Sequence, residues 1–420
     1  MLLLTFVRQG GAAVPADQTP LSIGGSLRLR HELKDDFNFN SSVQDYALTQ
    51  LRLNAGWSPT QELTFFVELQ DARVFGESKT AAPPLNEDAV PNIFADELDL
   101  HRGYVDYAFS ARLPARLRVG RQKFNLGAKR LIASLEWVNT ARVWDGARLT
   151  LGAPKSRTLD VIASRLVPVD PNQLNDHDRT GSRLFNSSFY ALYYTDRVRF
   201  ERTICEAYLL LRDESDVEDN LYTLGTRWEK KGDIWDGDLE LAAQTGEYGG
   251  ADHRALAVHM GTGYRAKKLR NTRFGAAYNF GSGDGDPSDG EHHTFDNQYP
   301  LNHAYYGFMD LFSLQNMHNF EATAATKLSG TAVRLAYQGF WIDEPEADSW
   351  YNAGAGVVRG PVVGDGSSFA GSEVDVTVTR KYGNLMLQAG YSHFFPGAFV
   401  EESGPSKDAD FFYLMQKLTL

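Results

Sequence analysis

Six arginines early in the chain, Arg28, Arg30, Arg52, Arg118, Arg142 and Arg148, recur at spacings that an extended backbone brings to one face of a sheet. In Leu21–Lys34 (LSIGGSLRLRHELK), Leu21, Ile23, Leu27, Leu29 and Leu33 alternate with Ser22, Ser26, Arg28, Arg30, Glu32 and Lys34. Further on, Leu51, Leu53, Ala55 and Trp57 stand opposite Gln50, Arg52 and Asn54. Later still, Arg142, Trp144, Gly146, Arg148 and Thr150 oppose Val143, Ala147, Leu149 and Leu151, with Asp145 as the exception on the oily side. A guanidinium is a permanent cation that grips a carboxylate through two parallel hydrogen bonds. Several on one wetted wall concentrate an anion and speed its entry. Glu68, Asp106, Glu240 and Asp375 fall on the same polar side. The competing reading is therefore that the arginines pair with these carboxylates and brace the wall.

The elements that must hold such faces are strands, and the question is which face is inside. No run of about 18 apolar residues exists, so no transmembrane helix is expected. Barrel strands need only about 9–11 alternating residues, so a membrane protein is not excluded. The 420 residues carry 19 Tyr, 25 Phe and 7 Trp, enough for two aromatic girdles, and the net charge of −12 argues against nucleic acid as a partner.

Alternating segments recur near 21–34, 45–57, 63–70, 98–110, 116–124, 142–152, 157–167, 188–195, 199–212, 220–230, 237–247, 255–265, 272–281, 318–328, 331–342, 373–382, 385–395 and 410–420. Connections between them alternate between short (58–61, 153–156, 195–198, 328–330, 383–384) and long (73–97, 124–141, 168–187, 281–317, 342–372, 396–409). A soluble Greek-key sandwich has no reason to sort loop lengths by parity. Outer-membrane barrels do, with tight periplasmic turns and long external loops. The predicted fold is all-β: a single transmembrane antiparallel β-barrel of about 18 strands over residues 21–420, in the bacterial outer membrane and in contact with its lipid. Residues 1–20 read as a residual signal peptide or a disordered tail.

Other residues could add chemistry. Arg121 sits where a strand ends, so parity does not place it. Lys129 and Arg130 follow in a long loop, and join a constriction if that loop folds inward. The apolar run Tyr305–Phe312 in another long loop is expected to fold inward as a plug, because apolar surface left in water is costly. Asp284, Asp286 and Asp289 resemble a calcium loop without the glycine spacing and terminal Glu of an EF-hand, so a solvated turn competes with a structural Ca²⁺ site. No other cofactor is implied. His292 and His293 are adjacent and point apart in an extended chain, a poor metal geometry. The single cysteine, Cys205, reads as a small apolar strand residue and rules out an internal disulfide. An enzyme reading would recruit His101, His259 or His393, but no Gly-x-Ser-x-Gly elbow accompanies them; the chain is read as a non-enzyme.

Two stretches carry a resemblance to a known family. Gly120–Leu149 contains Gly-Arg-Gln (Gly120–Gln122), Trp-x-Asn-Thr-x-Arg (Trp137–Arg142) and Asp-Gly-x-Arg (Asp145–Arg148). Tyr278–Asn319 contains Thr-Phe-Asp (Thr294–Asp296), Tyr-Pro-x-Asn-His-Ala-Tyr-Tyr-Gly (Tyr299–Gly307) and Gln-Asn (Gln315–Asn316). Together they resemble the alginate export family of outer-membrane porins. That resemblance implies a monomeric eighteen-stranded barrel whose electropositive pore passes an anionic polyuronate, with possible periplasmic export machinery as partner. It also implies that Arg121, Arg142 and Arg148 line the conduit and contact uronate carboxylates. The expected function is an outer-membrane channel for an anionic polysaccharide or small acidic solute, with Arg28, Arg30, Arg52 and Arg118 as further lining residues and Lys129, Arg130, Tyr305 and Tyr306 at a constriction. The alternative is a general or substrate-specific diffusion porin for small sugars or organic acids.

Overall fold

A strand with one face in lipid cannot leave an edge unpaired there, because no water is present to satisfy its backbone. The computed structural model describes residues 20–76, 93–109, 113–171, 173–177, 187–214, 219–364 and 366–420, and within these the sheet closes on itself. Its strands are β1 (Leu21–Asp35), β2 (Val43–Trp57), β3 (Leu63–Phe75), β4 (Asp96–Phe109), β5 (Ala115–Gln122), β6 (Trp144–Gly152), β7 (Arg157–Leu166), β8 (Ser188–Asp196) and β9 (Thr203–Glu214). They continue as β10 (Asp219–Lys230), β11 (Trp235–Tyr248), β12 (Ala251–Ala266), β13 (Thr272–Gly281), β14 (Met317–Leu328), β15 (Thr331–Ile342), β16 (Phe369–Tyr382), β17 (Leu385–Pro396) and β18 (Ala409–Thr419). Every neighbour in this order pairs antiparallel, and β1 pairs with β18 from Ser26↔Thr419 to Asp35↔Asp410, completing an 18-stranded barrel.

The oily face is the outside. Leu29 is 42% exposed while Arg30, its neighbour in β1, is 4% exposed, and the same inversion recurs around the wall. Outward aromatics gather beside the short turns, where Trp57 stacks on Phe65 at 5.3 Å and Trp235 lies 4.8 Å from Tyr264. A second set, including Trp341 and Phe369 at 5.3 Å, marks the opposite rim. Two such belts are where amphipathic rings settle at membrane interfaces. Inside, two tyrosine rings lie flat over glycines of the next strand: a Cβ at Gly225 would meet the Tyr208 ring, and one at Gly390 the Tyr413 ring.

The parity of the connections holds at the short-turn end. At the other end it is imperfect, since 36–42 and 249–250 are short although they lie among the long loops; β11 and β12 simply extend farther before turning. Residues 1–19, which carry the signal-peptide or tail expectation, lie outside the described residues. Placing a cation on the lipid face is the direct test. Leu414→Arg in β18 is expected to destabilise the barrel by about 2–4 kcal/mol if it lies near the bilayer midplane, read by urea unfolding in lipid vesicles, whereas Leu414→Val should change little.

Candidate functional site

Among the described residues, two long connections reach across the space within the barrel. Segment 123–143, between β5 and β6, turns inward and is fastened to β1–β3 largely through its own backbone carbonyls. Arg28 donates to Glu136 O (2.7 Å) and Val138 O (2.9 Å), Arg30 to Trp137 O (2.5 Å), Gln50 to Asn139 O (2.5 Å) and Gln70 to Thr140 O (2.8 Å). Asn139 answers from the loop, its amide nitrogen facing Thr49 O, Arg73 O and Phe94 O at 3.0, 3.1 and 2.8 Å. Segment 282–316 enters from β13 and meets the first: Ala133 N donates to Tyr299 O (2.8 Å), Tyr299 N to Leu131 O (2.9 Å) and Leu301 N to Lys129 O (3.1 Å). Trp137 stacks on His303 with centroids 3.6 Å apart, and the Arg30 guanidinium covers the other face of the same indole at 3.9 Å.

The far wall holds the other ends. Arg130 reaches Asp238 and Glu240 of β11, both at 3.1 Å, and lies 4.5 Å over the Tyr305 ring. Tyr305 donates to Ala128 O, and Tyr306 is fully buried. The four residues expected at a constriction thus converge, except that Lys129 points to water. Asp296 is gripped by both terminal nitrogens of Arg212 in β9, at 2.6 and 2.7 Å. Burial raises the Asp296 carboxyl, but Arg212 outweighs it and holds the group below its ordinary range. The apolar run 305–312 does fold inward: Phe312 stacks on Phe340 at 3.8 Å and on Trp350 at 4.8 Å.

The wall from β1 to β7, closed by β18, is strongly basic toward the short-turn end. Arg102 forks onto Glu68, Arg116 and Arg118 share Asp106, Arg148 forks onto Asp160, and Arg52 and Lys123 share Glu136. Arg28 and Lys417, paired in register, are in no ion pair among the described residues. At the short-turn end of this wall eight cations therefore face four carboxylates, while farther up Arg30 and Lys34 meet Glu32, and Asp96 and Asp99 are also buried. The protein surrounding Glu136 opposes its ionisation although its side chain is open to the lumen, but Arg52 and Lys123 prevail and hold the carboxyl well below its ordinary range.

Two arginines are placed differently from the sequence reading. Arg121 falls on the outward face with Leu117 and Val119, where its guanidinium takes Asp145 (2.9 Å twice), Leu100 O and Asn175 O. This explains why Asp145 broke the oily alternation of β6. Arg142 precedes β6, donates to Ala133 O (3.1 Å) and lies 5.5 Å from the Tyr299 ring, so it ties one inward loop to the other. Asp286 and Asp289 accept from the backbone of Ser288 (3.1 Å) and Glu291 (2.7 Å) as self-capping turns, while the Asp284 backbone bonds Asp348; no cluster of three metal-ligating side chains occurs among the described residues. His259 is bound by Arg130, Asp238 and Asn279, and His393 by Asp408 and Asp410, with no serine hydroxyl on either among the described residues. Sequence reasoning missed Glu136, Asn139, Gln50, Gln70, Asp296 and Arg212. The signal available was that Asn139 and Asp296 lie inside the two motif stretches.

With this geometry in view, the comparisons are direct. The profile of the family described as alginate export matches residues 19–413. The chain belongs to the alginate export family. Its fold is shared by solved Pseudomonas aeruginosa proteins: OccK8 (OprE), 14% identical over 95% of this chain and 98% of that one, TM-score 0.65; the outer membrane protein opdK, 12% identical over 95% and 98%, TM-score 0.64; and OccK7 (OpdD), 15% identical over 96% and 99%, TM-score 0.62. No curated protein sequence matches it. The family member described here is an outer-membrane channel and not an enzyme.

The Arg212–Asp296 clamp gives a test. Arg212→Ala leaves a buried carboxylate unpaired, a loss of about 3–5 kcal/mol, and should open 282–316 to protease at neutral pH. In the parent protein the depressed Asp296 value means the clamp is complete above the ordinary carboxylate range and is lost as pH falls through the lower, native value. Equal opening at pH 7 and under strongly acidic conditions would contradict it.

Proposed function

We propose that this channel conducts carboxylate-bearing, anionic saccharides, and that the basic wall is what selects them. The observation that carries the reading is the imbalance at the short-turn end of that wall: Glu68, Asp106, Glu136 and Asp160 are each already answered, and Arg28 and Lys417 remain over. Fixed cations beside water raise the local concentration of anions and lower the barrier to their entry. The periplasmic mouth supports it. Its short turns present Lys155, Arg197, Arg199, Lys267, Lys268 and Arg270 as exposed cations in no ion pair among the described residues, a surface suited to gathering a polyanion or an acidic delivery partner. The external loops instead carry Asp343–Asp348 and Glu401–Glu402. Arg116, Arg118 and Arg148 line the wall close to that mouth, with Arg118 and Arg148 as cross-strand neighbours. Arg28, Arg30 and Arg52 act higher up, where they also hold the inward loop.

A second reading, a substrate-specific porin for small organic acids, is favoured by the way two loops meet each other and the far wall within the lumen. Both readings require anion preference. In planar bilayers under a salt gradient, the wild-type reversal potential is expected on the anion-selective side, and Arg148→Glu, which sets a new carboxylate beside Asp160, should move it toward the cation side with heat-modifiable migration retained. An unchanged reversal potential rejects the role of this wall. Obstruction by polymer favours the first reading, and permeation restricted to single acids favours the second.

A further inference from the structure

Glu136 differs from every other carboxylate of the basic wall in belonging to the inward loop and not to the barrel. Its side chain is 45% exposed to the lumen, while the cations that hold it are withdrawn, Arg52 at 6% and Lys123 at 15%. The grip is incomplete. Glu136 Oε2 takes Arg52 Nη1 at 2.6 Å and Oε1 lies 2.6 Å from Lys123, but Gln70 occupies Arg52 Nε and Arg52 Nη2 has no acceptor among the described residues. A guanidinium more than nine-tenths buried with one tine vacant is set up for a carboxylate that can use both. Arg28 stands beside this cradle, bound to the backbone oxygen of Glu136, and brings no carboxylate of its own.

We propose that Glu136 is a built-in stand-in for a solute carboxylate: its side chain fills the Arg52–Lys123 cradle, and an incoming carboxylate displaces it while the backbone anchors of the loop stay in place. The inference rests on the anion reading above and names the site at which that reading acts. Exchange of one carboxylate for another leaves the ion pairs conserved, so neither cation is stranded without a counter-ion during the swap. Because Glu136 is tethered, its effective concentration at the cradle is high, and a solute with several linked carboxylates competes better than a single acid. A residue serving purely as a brace would be shielded from the lumen and would use both tines.

The test is current block of wild type, E136Q and R52Q in planar bilayers, with trigalacturonate as the anionic probe and maltotriose as the neutral one. Removing the internal competitor should lower the half-blocking concentration of trigalacturonate by about tenfold or more, while R52Q raises it and maltotriose is unaffected by either change. If E136Q fails to insert, E136D, which withdraws the carboxylate by one methylene, should shift the block in the same direction by a smaller factor. An unchanged or weakened block in a folded E136Q channel, with anion selectivity intact, overturns the stand-in and leaves the anion reading standing. Absence of block in wild type together with lost anion selectivity overturns both.

Discussion

The constraint on which this molecule depends is that a closed barrel of eighteen strands encloses more space than its own side chains can fill. Eight-stranded barrels pack their interiors solid, whereas wide ones hold water or borrow chain from their loops. Here 123–143 and 282–316 enter the lumen, and the polar wall that lipid forces inward becomes the surface to which they attach. Arg28, Arg30, Gln50 and Gln70 are inward because their neighbours must be outward. They bind the carbonyls of residues 136–140.

This gives the arginines two functions that compete for the same atoms. A guanidinium spent on a loop carbonyl keeps its charge, because a carbonyl does not neutralise it, so Arg28 both positions the loop and adds to the field of the conduit. By contrast Arg121 is neutralised by Asp145 at the outer rim, while Arg142, held by the Ala133 carbonyl between the loops, keeps its charge as Arg28 does. The charge left on the basic wall therefore comes from the excess over paired carboxylates, not from the arginine count.

The barrel was legible in the sequence because alternation is a local signal. All eighteen expected strands appear, with their ends displaced by a few residues, as at β12, which begins at Ala251 rather than near 255, and β3, which runs on to Phe75. The face of each arginine was legible where the strand was continuous, as at Arg28, Arg30, Arg52, Arg118 and Arg148. It failed at Arg142, where alternation persists by chance into a loop, and at Arg121, where an outward charge was stabilised by Asp145. The inward attachments were not legible, because which carbonyl an amide such as Gln70 reaches is a long-range property. The two motifs nonetheless marked them: Trp137, Asn139, Thr140 and Arg142 of the first, and Asp296, Tyr299, His303 and Tyr305 of the second, are the residues that fasten the loops.

Hydrogen exchange of the backbone amides in membrane-like discs tests the central claim most directly. If the two loops are held inside the lumen as described, amides of 131–143 and 295–306, including Ala133, Arg142, Tyr299 and Tyr306, should be protected to an extent approaching that of the strands around them. Exchange of these segments at the rate of free peptide would contradict the account, since it would show a barrel whose lumen the loops do not enter.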